Sequence, residues 1–503
     1  MSETDGQELP SEYVPGAPSP LVTALRQLAE EAPDRLAVTC GDDSATRGEL
    51  EARSNRLARA YAEMGVAEGD MVTVALPNGI EYYAATIATW KLGAVPNPVS
   101  PRLPLPERAA IVEVGKPALV VGVDAADHPG HRCVPVGFEP DPEVDSSPVE
   151  PERVSRSMAA MTSSGSTGRP KLIVLGTPPL IYPGLPVAIG MTEGGTTLVP
   201  GPLYHTMGFQ YSWFALSAGC HVIVLPKFDA AAALDAITRE RVDFVGLVPT
   251  MMSRMLRAIE AEPGRFDLSS LNRLWHGAAA CPMWVKQGWI DLIGADKVME
   301  GYAATDGWCS SVIAGADWLE HRGSVGKPMG DVAILGPDGE ELPPGEVGEI
   351  YAAKPPLPPG MESFTYIGSE SRMRGDRLSV GDLGWLDEDG YLYISDRRVD
   401  MIVTGGANVF PAEIEGAIEE HPQVLSAIVV GLPDDDLGQR VHAVVQASGD
   451  LTTKELQSFV AERLVRYKVP RSVRFVDEAL RDDAGKARRS AIRDREVELL
   501  TTA

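Results

Sequence analysis

Residues 162–171 combine hydroxyl side chains, glycines and a lysine in the order T-S-S-G-S-T-G-R-P-K. Small residues and glycines let successive backbone N–H groups turn toward one anion, and the hydroxyls and the lysine add donors and positive charge. A strand-like run, 172–174, follows at once, which favours a phosphate-binding loop over the alternative, a flexible Ser/Gly linker. The order differs from both G-x-x-x-x-G-K-[ST] and G-x-G-x-x-G. The residues predicted to bind phosphate are Thr162, Ser163, Ser164, Gly165, Ser166, Thr167, Gly168 and Lys171.

Composition excludes several classes of function. A net charge of −26 opposes binding to nucleic acid or to an anionic membrane, so a site for a polyanion must be positive locally. The 5 cysteines are dispersed without a C-x-x-C pair, which fits free thiols in a reducing cytoplasm and excludes a cysteine-built zinc site. Residues 1–20 are acidic and Pro-rich, as in a loose tail rather than a signal peptide. No apolar run approaches the roughly 20 residues that cross a bilayer, so no membrane insertion is expected.

The elements that must position this loop form three successive patterns. Up to about residue 260, strand-like runs such as 71–76 and 244–248 alternate with amphipathic helices such as 80–92 and 251–259. This alternation predicts a mostly parallel α/β sheet covered on both faces. Short strands with Asp-Gly turns over 331–393 predict a small antiparallel unit. From residue 398 a compact α+β unit is predicted, with a helix over 453–466. The predicted domains are a tail (1–20), a large N-terminal domain (21–397) and a small, mobile C-terminal domain (398–503).

Further motifs stand in a fixed order: H-G-A-A-A-C-P from His276, E-G-Y-A-A-T-D-G from Glu300, G-D-L-G-W from Gly381, D-R-R-V-D-M-I from Asp396 and G-K-A-R from Gly485. Together with the loop they resemble the adenylate-forming superfamily of acyl-CoA synthetases, luciferases and peptide-synthetase adenylation domains. The resemblance covers residues 20–495, and its wording is closest to bile-acid and steroid acid–CoA ligases. It implies two half-reactions: a carboxylate attacks MgATP to give an acyl-adenylate, and coenzyme A then displaces AMP after the small domain turns.

The resemblance also implies a role for individual residues. Tyr302 would stack on adenine with Gly277, Ala278, Ala279 and Gly301 around the base, and Asp382 and Arg397 would hold the ribose. Thr305 would contact phosphate and Asp306 would hold Mg²⁺. Lys486 would serve adenylation, His205 would gate the acid pocket, and Gly405 and Gly406 would floor the CoA tunnel. Each has a structural alternative, namely a core tyrosine, a helix cap, a surface turn, a packed histidine or a solvated basic helix.

Three departures from the family pattern concern ATP handling or domain movement. Asp306 is one methylene shorter than the family's Glu, Asp482 and Asp483 precede Lys486, and Val399 occupies a hinge position that is usually polar. Carboxylates near an incoming triphosphate repel it, by about 4 kcal/mol for two unit charges at ~4 Å and an effective dielectric of 20. This suggests the hypothesis that adenylation is weak or absent and that the chain thioesterifies a supplied acyl-adenylate.

The aromatic residues Phe209, Trp213, Trp275 and Trp308 are predicted to line a pocket for a large apolar acid, polycyclic or fatty, although they could equally be core. Residues 204–214 contain no Asp or Glu to meet an ammonium group, which argues against an amino acid. The expected cofactors are ATP or AMP, Mg²⁺ and coenzyme A. Rival hypotheses are transfer to a carrier-protein thiol and a non-catalytic acyl-adenylate-binding protein. A homodimer and a separate adenylating enzyme stay open as partners.

Overall fold

The structure, a computed structural model, describes residues 17–164, 170–304, 307–354, 363–367, 372–482 and 485–502. Its largest sheet, here called sheet A, contains six parallel strands at its centre and antiparallel strands at both edges. In sheet order, the described strands of sheet A are Lys327–Pro328, Ser310–Ala314, Val298–Ala303, Arg273–Gly277, Phe244–Leu247, Thr196–Val199, His221–Val224, Leu36–Cys40 and Asp43–Thr46. The parallel strands are apolar and mostly buried because helices cover both faces of the sheet.

Smaller sheets complete the large N-terminal part. A parallel sheet contains Val95–Pro98, Met71–Val74, Leu119–Val121 and Cys133–Val134. An antiparallel sheet contains Phe364–Ile367, Pro170–Leu175 and Ala160–Ser164. A second antiparallel sheet contains Val332–Leu335, Gly348–Ala353, Arg377–Leu386, Met373–Arg374 and Leu392–Arg397. The last of these is the antiparallel unit that the Asp-Gly turns predict.

The C-terminal part has its own sheet and core. Its sheet contains Ala407–Val409, Ile402–Thr404, Gly438–Ala447, Val424–Asp434 and Ser472–Val476. Ile414 and Ile418 of the helix Pro411–Glu419 pack on Val429 and Val445 of this sheet, and all four side chains are buried. The predicted fold class, a large α/β domain followed by a small α+β domain, is therefore confirmed.

Helix boundaries follow local signals in several places. The α-helices within the described ranges are Leu21–Glu31, Arg47–Glu63, Ile80–Lys91, Leu105–Gly115, Leu185–Ala188, Thr206–Ser217, Ala230–Glu240, Pro249–Ala261, Met283–Ile293, Gly315–Glu320, Pro411–Glu419, Thr453–Ala461 and Arg489–Thr502, with 3₁₀ turns at Ala125–Asp127, Ala295–Lys297 and Arg466–Lys468. Thr46 and Glu49 form the capping box that their spacing predicts, which satisfies backbone donors at the helix start. The helix predicted over 453–466 is shorter, because its last turn separates as a 3₁₀ turn.

The chain start and membrane prediction compare as follows. Residues 1–16 of the predicted tail lie outside the described residues, but Ser19 and Pro20 pair antiparallel with Ile181 and Leu180 and so belong to the folded part. Among the residues that the structure describes, no helix combines the length and apolar character that crossing a bilayer requires.

Candidate active site

The candidate site lies at the carboxyl edge of sheet A. The loops that follow Val199, Leu247 and Gly277 meet there, next to the end of strand Val298–Ala303. Ligands of parallel α/β sheets bind at this edge because the loops after the strands converge on it. His205 and Tyr302 are thus brought to one place from distant parts of the chain.

The predicted phosphate loop closes a hairpin. Strands Ala160–Ser164 and Pro170–Leu175 pair antiparallel, with Ser164 opposite Pro170, so a strand does resume directly after the loop. Gly165, Ser166, Thr167 and Gly168 lie outside the described residues. The loop is anchored from below, since Asn97 donates to the Ala160 carbonyl at 2.7 Å and to Thr162 Oγ1 at 3.3 Å.

Lys171 extends from the second strand of this hairpin. Its Nζ lies 4.2 Å from the centroid of the Tyr366 ring, a cation–π contact that orients the ammonium group. Tyr366 belongs to strand Phe364–Ile367, which pairs with the Lys171 strand. The sequence analysis missed both Tyr366 and Asn97, because neither forms part of a recognisable motif.

The predicted adenine-binding segment depends on a close backbone approach. Gly277 and Gly301 face each other in paired parallel strands, and a Cβ at Gly277 would lie 2.3 Å from the Gly301 carbonyl oxygen. Ala278 follows with φ +68°, a left-handed conformation that non-glycine residues adopt mainly in tight functional turns. Ala278 and Ala279 are exposed, so their backbone is open to a ligand. The structure therefore presents this turn toward the same edge of the sheet as Tyr302.

Tyr302, Asp382 and Arg397 form one group. The Tyr302 hydroxyl donates to Asp382 Oδ2 at 2.7 Å, and Arg397 Nε lies 3.9 Å from Asp382 Oδ1. Asp382 and Arg397 are directly opposite each other in adjacent antiparallel strands. Burial raises the pKa of Asp382, while the Tyr302 hydrogen bond and the Arg397 charge oppose the rise. The arrangement leaves a carboxylate that can accept hydrogen bonds from ribose hydroxyls.

Lys486 reaches this group from the C-terminal part of the chain. Its segment is a tight turn in which the Lys486 amide donates to Asp482 Oδ1 at 2.9 Å and the Asp482 amide donates to the Lys486 carbonyl at 2.9 Å. Part of Lys486 stays open to solvent, yet desolvation by surrounding protein and the Arg397 charge lower its pKa, whereas Asp482 raises it. The Asp482 carboxylate thus helps to build the turn, a use that its sequence position did not suggest. Asp483 lies outside the described residues.

His205 stands next to Lys486 on the acid side of the site. It precedes helix Thr206–Ser217, and its ring lies 4.7 Å from that of Tyr204. Burial, and then the Lys486 charge, lower the pKa of His205 to about 3. The imidazole is therefore neutral at physiological pH, which suits a wall or gate better than a proton carrier.

An apolar cavity adjoins His205. It encloses about 380 Å³, within the range of small-molecule pockets, and its walls include Pro202, His205, Met207, Tyr211, Gly246 and Met251. No Asp, Glu, Lys or Arg is among the described residues that line it. A Cβ at Gly246 would lie 2.6 Å from Tyr211 Cδ2, so the glycine makes room for this ring. The sequence signal was the glycine itself, which interrupts an otherwise apolar strand.

The four aromatic residues predicted for the acid pocket lie elsewhere. Trp213 is fully buried and packs edge-on against Trp90, with Phe209 beside it, so both belong to the core. Trp275 is buried behind Tyr211, where its Nε1 donates to the Ile189 carbonyl at 2.8 Å. Trp308 donates to Ser363 Oγ and packs on the second antiparallel sheet. The prediction is corrected because large aromatic side chains gain most from burial in the core.

Two further predictions concern metal and coenzyme A. Thr305 and Asp306 lie outside the described residues, and in the rest of the chain no group of three or more His, Cys, Asp or Glu is placed to hold a metal ion. Gly405 and Gly406, with φ of +54° and +82°, form the turn of a hairpin between strands Ile402–Thr404 and Ala407–Val409. Both glycines are exposed there, and the hinge residue Val399 is 65% exposed.

Comparison with known proteins gives the site its context. The family model for AMP-binding enzymes matches residues 25–360, and the model for the C-terminal domain of AMP-binding enzymes matches residues 413–486. The chain belongs to the AMP-binding enzyme family. The family resemblance drawn from the motifs is thereby confirmed for both parts of this AMP-binding enzyme.

Individual relatives are similar over nearly the whole chain. A feruloyl-CoA synthase of Amycolatopsis sp is 34% identical over 484 residues, 93% of this chain and 97% of that one. The long-chain-fatty-acid–CoA ligase FadD13 of Mycobacterium tuberculosis is 30% identical over 500 residues, 93% of this chain and 97% of that one. The structure of o-succinylbenzoate CoA synthetase from Bacillus subtilis, in complex with its acyl-adenylate intermediate, superposes with a TM-score of 0.78 at 26% identity, covering 95% of this chain and 99% of that one.

Proposed function

We propose that this AMP-binding enzyme joins a large apolar carboxylic acid to coenzyme A through an acyl-adenylate. The observation that carries the proposal is the position of Lys486. It lies beside His205, between the apolar cavity and the Tyr302–Asp382–Arg397 group. A cation at this point can meet both the carboxylate of an acid in the cavity and the phosphate of a nucleotide held by that group.

The residues divide the first half-reaction among themselves. The acid carboxylate attacks the α-phosphorus of ATP, an oxygen–phosphorus bond forms, and pyrophosphate leaves. Lys486 offsets the negative charges that must approach each other, and Lys171 with the hairpin loop offsets those of the leaving pyrophosphate. Tyr302 and Asp382 fix the nucleoside, and Asp306 is the residue proposed to hold Mg²⁺. The second half needs no cation between acid and phosphate, since the CoA thiol loses its proton, attacks the acyl carbon and displaces AMP.

The cavity supports an apolar acid. Its described lining carries no charged side chain, and an unpaired charge buried there would be costly. Polycyclic and fatty acids both stay within the proposal. The similarity to a feruloyl-CoA synthase and to a long-chain-fatty-acid–CoA ligase supports acids of either an aromatic or an aliphatic body.

Two alternatives are separated by the same assay. A functionally split enzyme would thioesterify a supplied acyl-adenylate without making one, as the shortened Asp306 suggests. The pose of Lys486 supports the complete ligase instead, because that lysine serves adenylation only. A non-catalytic acyl-adenylate-binding protein would turn over neither substrate.

The experiment measures the two half-reactions separately. Pyrophosphate release is followed with MgATP and each acid of a panel (cholate, palmitate, ferulate and acetate), and AMP release is followed with the synthetic acyl-adenylates and CoA. Pyrophosphate release with the large acids and little with acetate is the expected result. AMP release alone would establish the split enzyme, and the absence of both, with AMP still bound, would establish the binding protein. Replacing CoA by a holo carrier protein tests the rival thiol.

Location and assembly remain predictions. The dispersed cysteines predict a cytoplasmic protein, and a homodimer or a separate adenylating enzyme stays open as a partner. Size-exclusion chromatography with light scattering distinguishes a monomer from a homodimer.

A further inference from the structure

Helix Pro249–Ala261 touches the C-terminal part of the chain at two points. At its start, Gly485, with φ +74°, approaches so closely that a Cβ there would lie 2.4 Å from Thr250 Oγ1. About two turns later along the same helix, Arg257 donates to the carbonyl oxygens of Glu419, at 3.1 Å, and of Val424. Met251 of this helix lines the acid cavity. One helix therefore connects the acid cavity with the segment that carries Lys486.

The Arg257 contact has the features of a specific one. Glu419 ends helix Pro411–Glu419, whose final carbonyls lack partners within the helix. A cation at a helix C-terminus satisfies these carbonyls and meets the negative end of the helix dipole. On its other side, the guanidinium lies 5.5 Å from the centroid of the Trp284 ring in the large domain. The guanidinium is thus held between an aromatic face of one domain and two carbonyls of the other.

A second contact between the two domains offers a contrast. Arg488 pairs with Glu107 at 2.6 Å, but the two side chains are 58% and 46% exposed. Exposed ion pairs are screened by water and salt, and they contribute little to stability. Arg257 is half-buried, and the carbonyls it meets belong to the backbone, which cannot move without the whole domain.

We propose that Arg257 is a positioning residue for adenylation. Its bonds to the Glu419 and Val424 carbonyls hold the C-terminal domain in the pose that places Lys486 beside His205. These bonds break when the domain turns for thioester formation. The inference rests on the proposed function, because it assigns Arg257 to one half of that reaction and not to the other.

The two half-reactions should respond differently to Arg257→Met. Loss of a charged hydrogen-bond donor should lower the rate of pyrophosphate release with palmitate or ferulate about tenfold. AMP release from synthetic palmitoyl-AMP or feruloyl-AMP with CoA should stay unchanged or rise, because that step uses the other pose. The matched control is Arg254→Met: Arg254 is exposed on the same helix, and no hydrogen bond or ion pair joins it to another described residue.

A double-mutant cycle separates positioning from a general structural role. If Arg257 acts through Lys486, then Arg257→Met should have no further effect on pyrophosphate release in the Lys486→Ala background. The inference is overturned if both half-reactions fall equally, if the tenfold loss persists without Lys486, or if Arg254→Met gives the same loss. Melting temperatures of all variants show whether each is folded.

Hydrogen exchange gives a readout that needs no acid. Backbone amides of residues 419–424 and 485–487 should exchange faster in Arg257→Met than in the wild type, and Arg254→Met should match the wild type. Unchanged exchange in Arg257→Met overturns the inference. If no acid is turned over by the wild type, the proposed function fails, and the exchange data still decide the role of Arg257 on their own.

Discussion

Replacing Gly246 by alanine should narrow the acid cavity without touching the nucleotide site. The added Cβ would lie 2.6 Å from Cδ2 and 3.0 Å from Cε2 of Tyr211. Carbon atoms in favourable contact are about 3.5–4.0 Å apart, so the ring must shift by roughly 1 Å. Phe244 and Trp275 are buried against this ring, with centroids 5.4 and 6.2 Å away. The shift is therefore taken up on the cavity side.

The size of the effect follows from how hydrophobic pockets discriminate. A change of one methylene in such a pocket is worth about 1–3 kcal/mol, or 10- to 200-fold. We expect kcat/KM for cholate or palmitate to fall by about this factor relative to acetate. AMP affinity, measured by calorimetry, should stay unchanged, since Tyr302 and Asp382 lie on other strands.

Gly416→Ala is the matched control. Gly416 lies within helix Pro411–Glu419, and a Cβ there would meet nothing within 4 Å. Tyr211→Ala supplies the opposite change, because it should enlarge the cavity and favour the bulkiest acid. If Gly246→Ala remains folded and its preference among the four acids equals that of the wild type, the cavity is not the acid site and the reasoning is refuted.

Three further predictions concern the nucleotide side of the site. Tyr302→Phe removes the hydroxyl that donates to Asp382 and should weaken AMP binding about three- to tenfold by calorimetry; unchanged affinity would contradict the pairing. Lys486→Ala should lower pyrophosphate release about a hundredfold while AMP release from an acyl-adenylate and CoA persists; equal losses would contradict its assignment. The lowered pKa of His205, about 3, means that between pH 6.5 and 4 the unfolded chain binds a proton there that the folded chain does not. Acidification over that range should therefore lower the melting temperature of the wild type more than that of His205→Gln, and equal slopes would contradict it.

Local signals predicted much of the fold. The alternation of strands and helices, the Thr46–Glu49 capping box and the strand that resumes after the phosphate loop all appear in the structure. Such features depend on residues within one or two turns of each other, so a sequence can specify them directly. The end of the helix predicted over 453–466 was less certain, because a final turn can separate as a 3₁₀ turn without any change in apolar spacing.

The acid pocket shows where local reasoning stops. Composition cannot tell an aromatic side chain that lines a cavity from one that fills the core. Trp213 proved to be core, whereas Tyr211, two residues earlier on the same helix, lines the cavity. That difference depends on which face of the helix meets the sheet and on the space that Gly246 leaves in a neighbouring strand.

The sequence by itself determined the order of the elements, the two kinds of domain and the groups able to meet a nucleotide. Spacing, capping and short motifs encode these properties within short stretches of chain. Only the tertiary structure decided that Lys486 stands beside His205, that Asp482 is used within the lysine turn, and that Arg257 meets the end of a helix in the other domain. These contacts join parts of the chain that fold as separate units, and packing between units leaves no periodic trace in either of them.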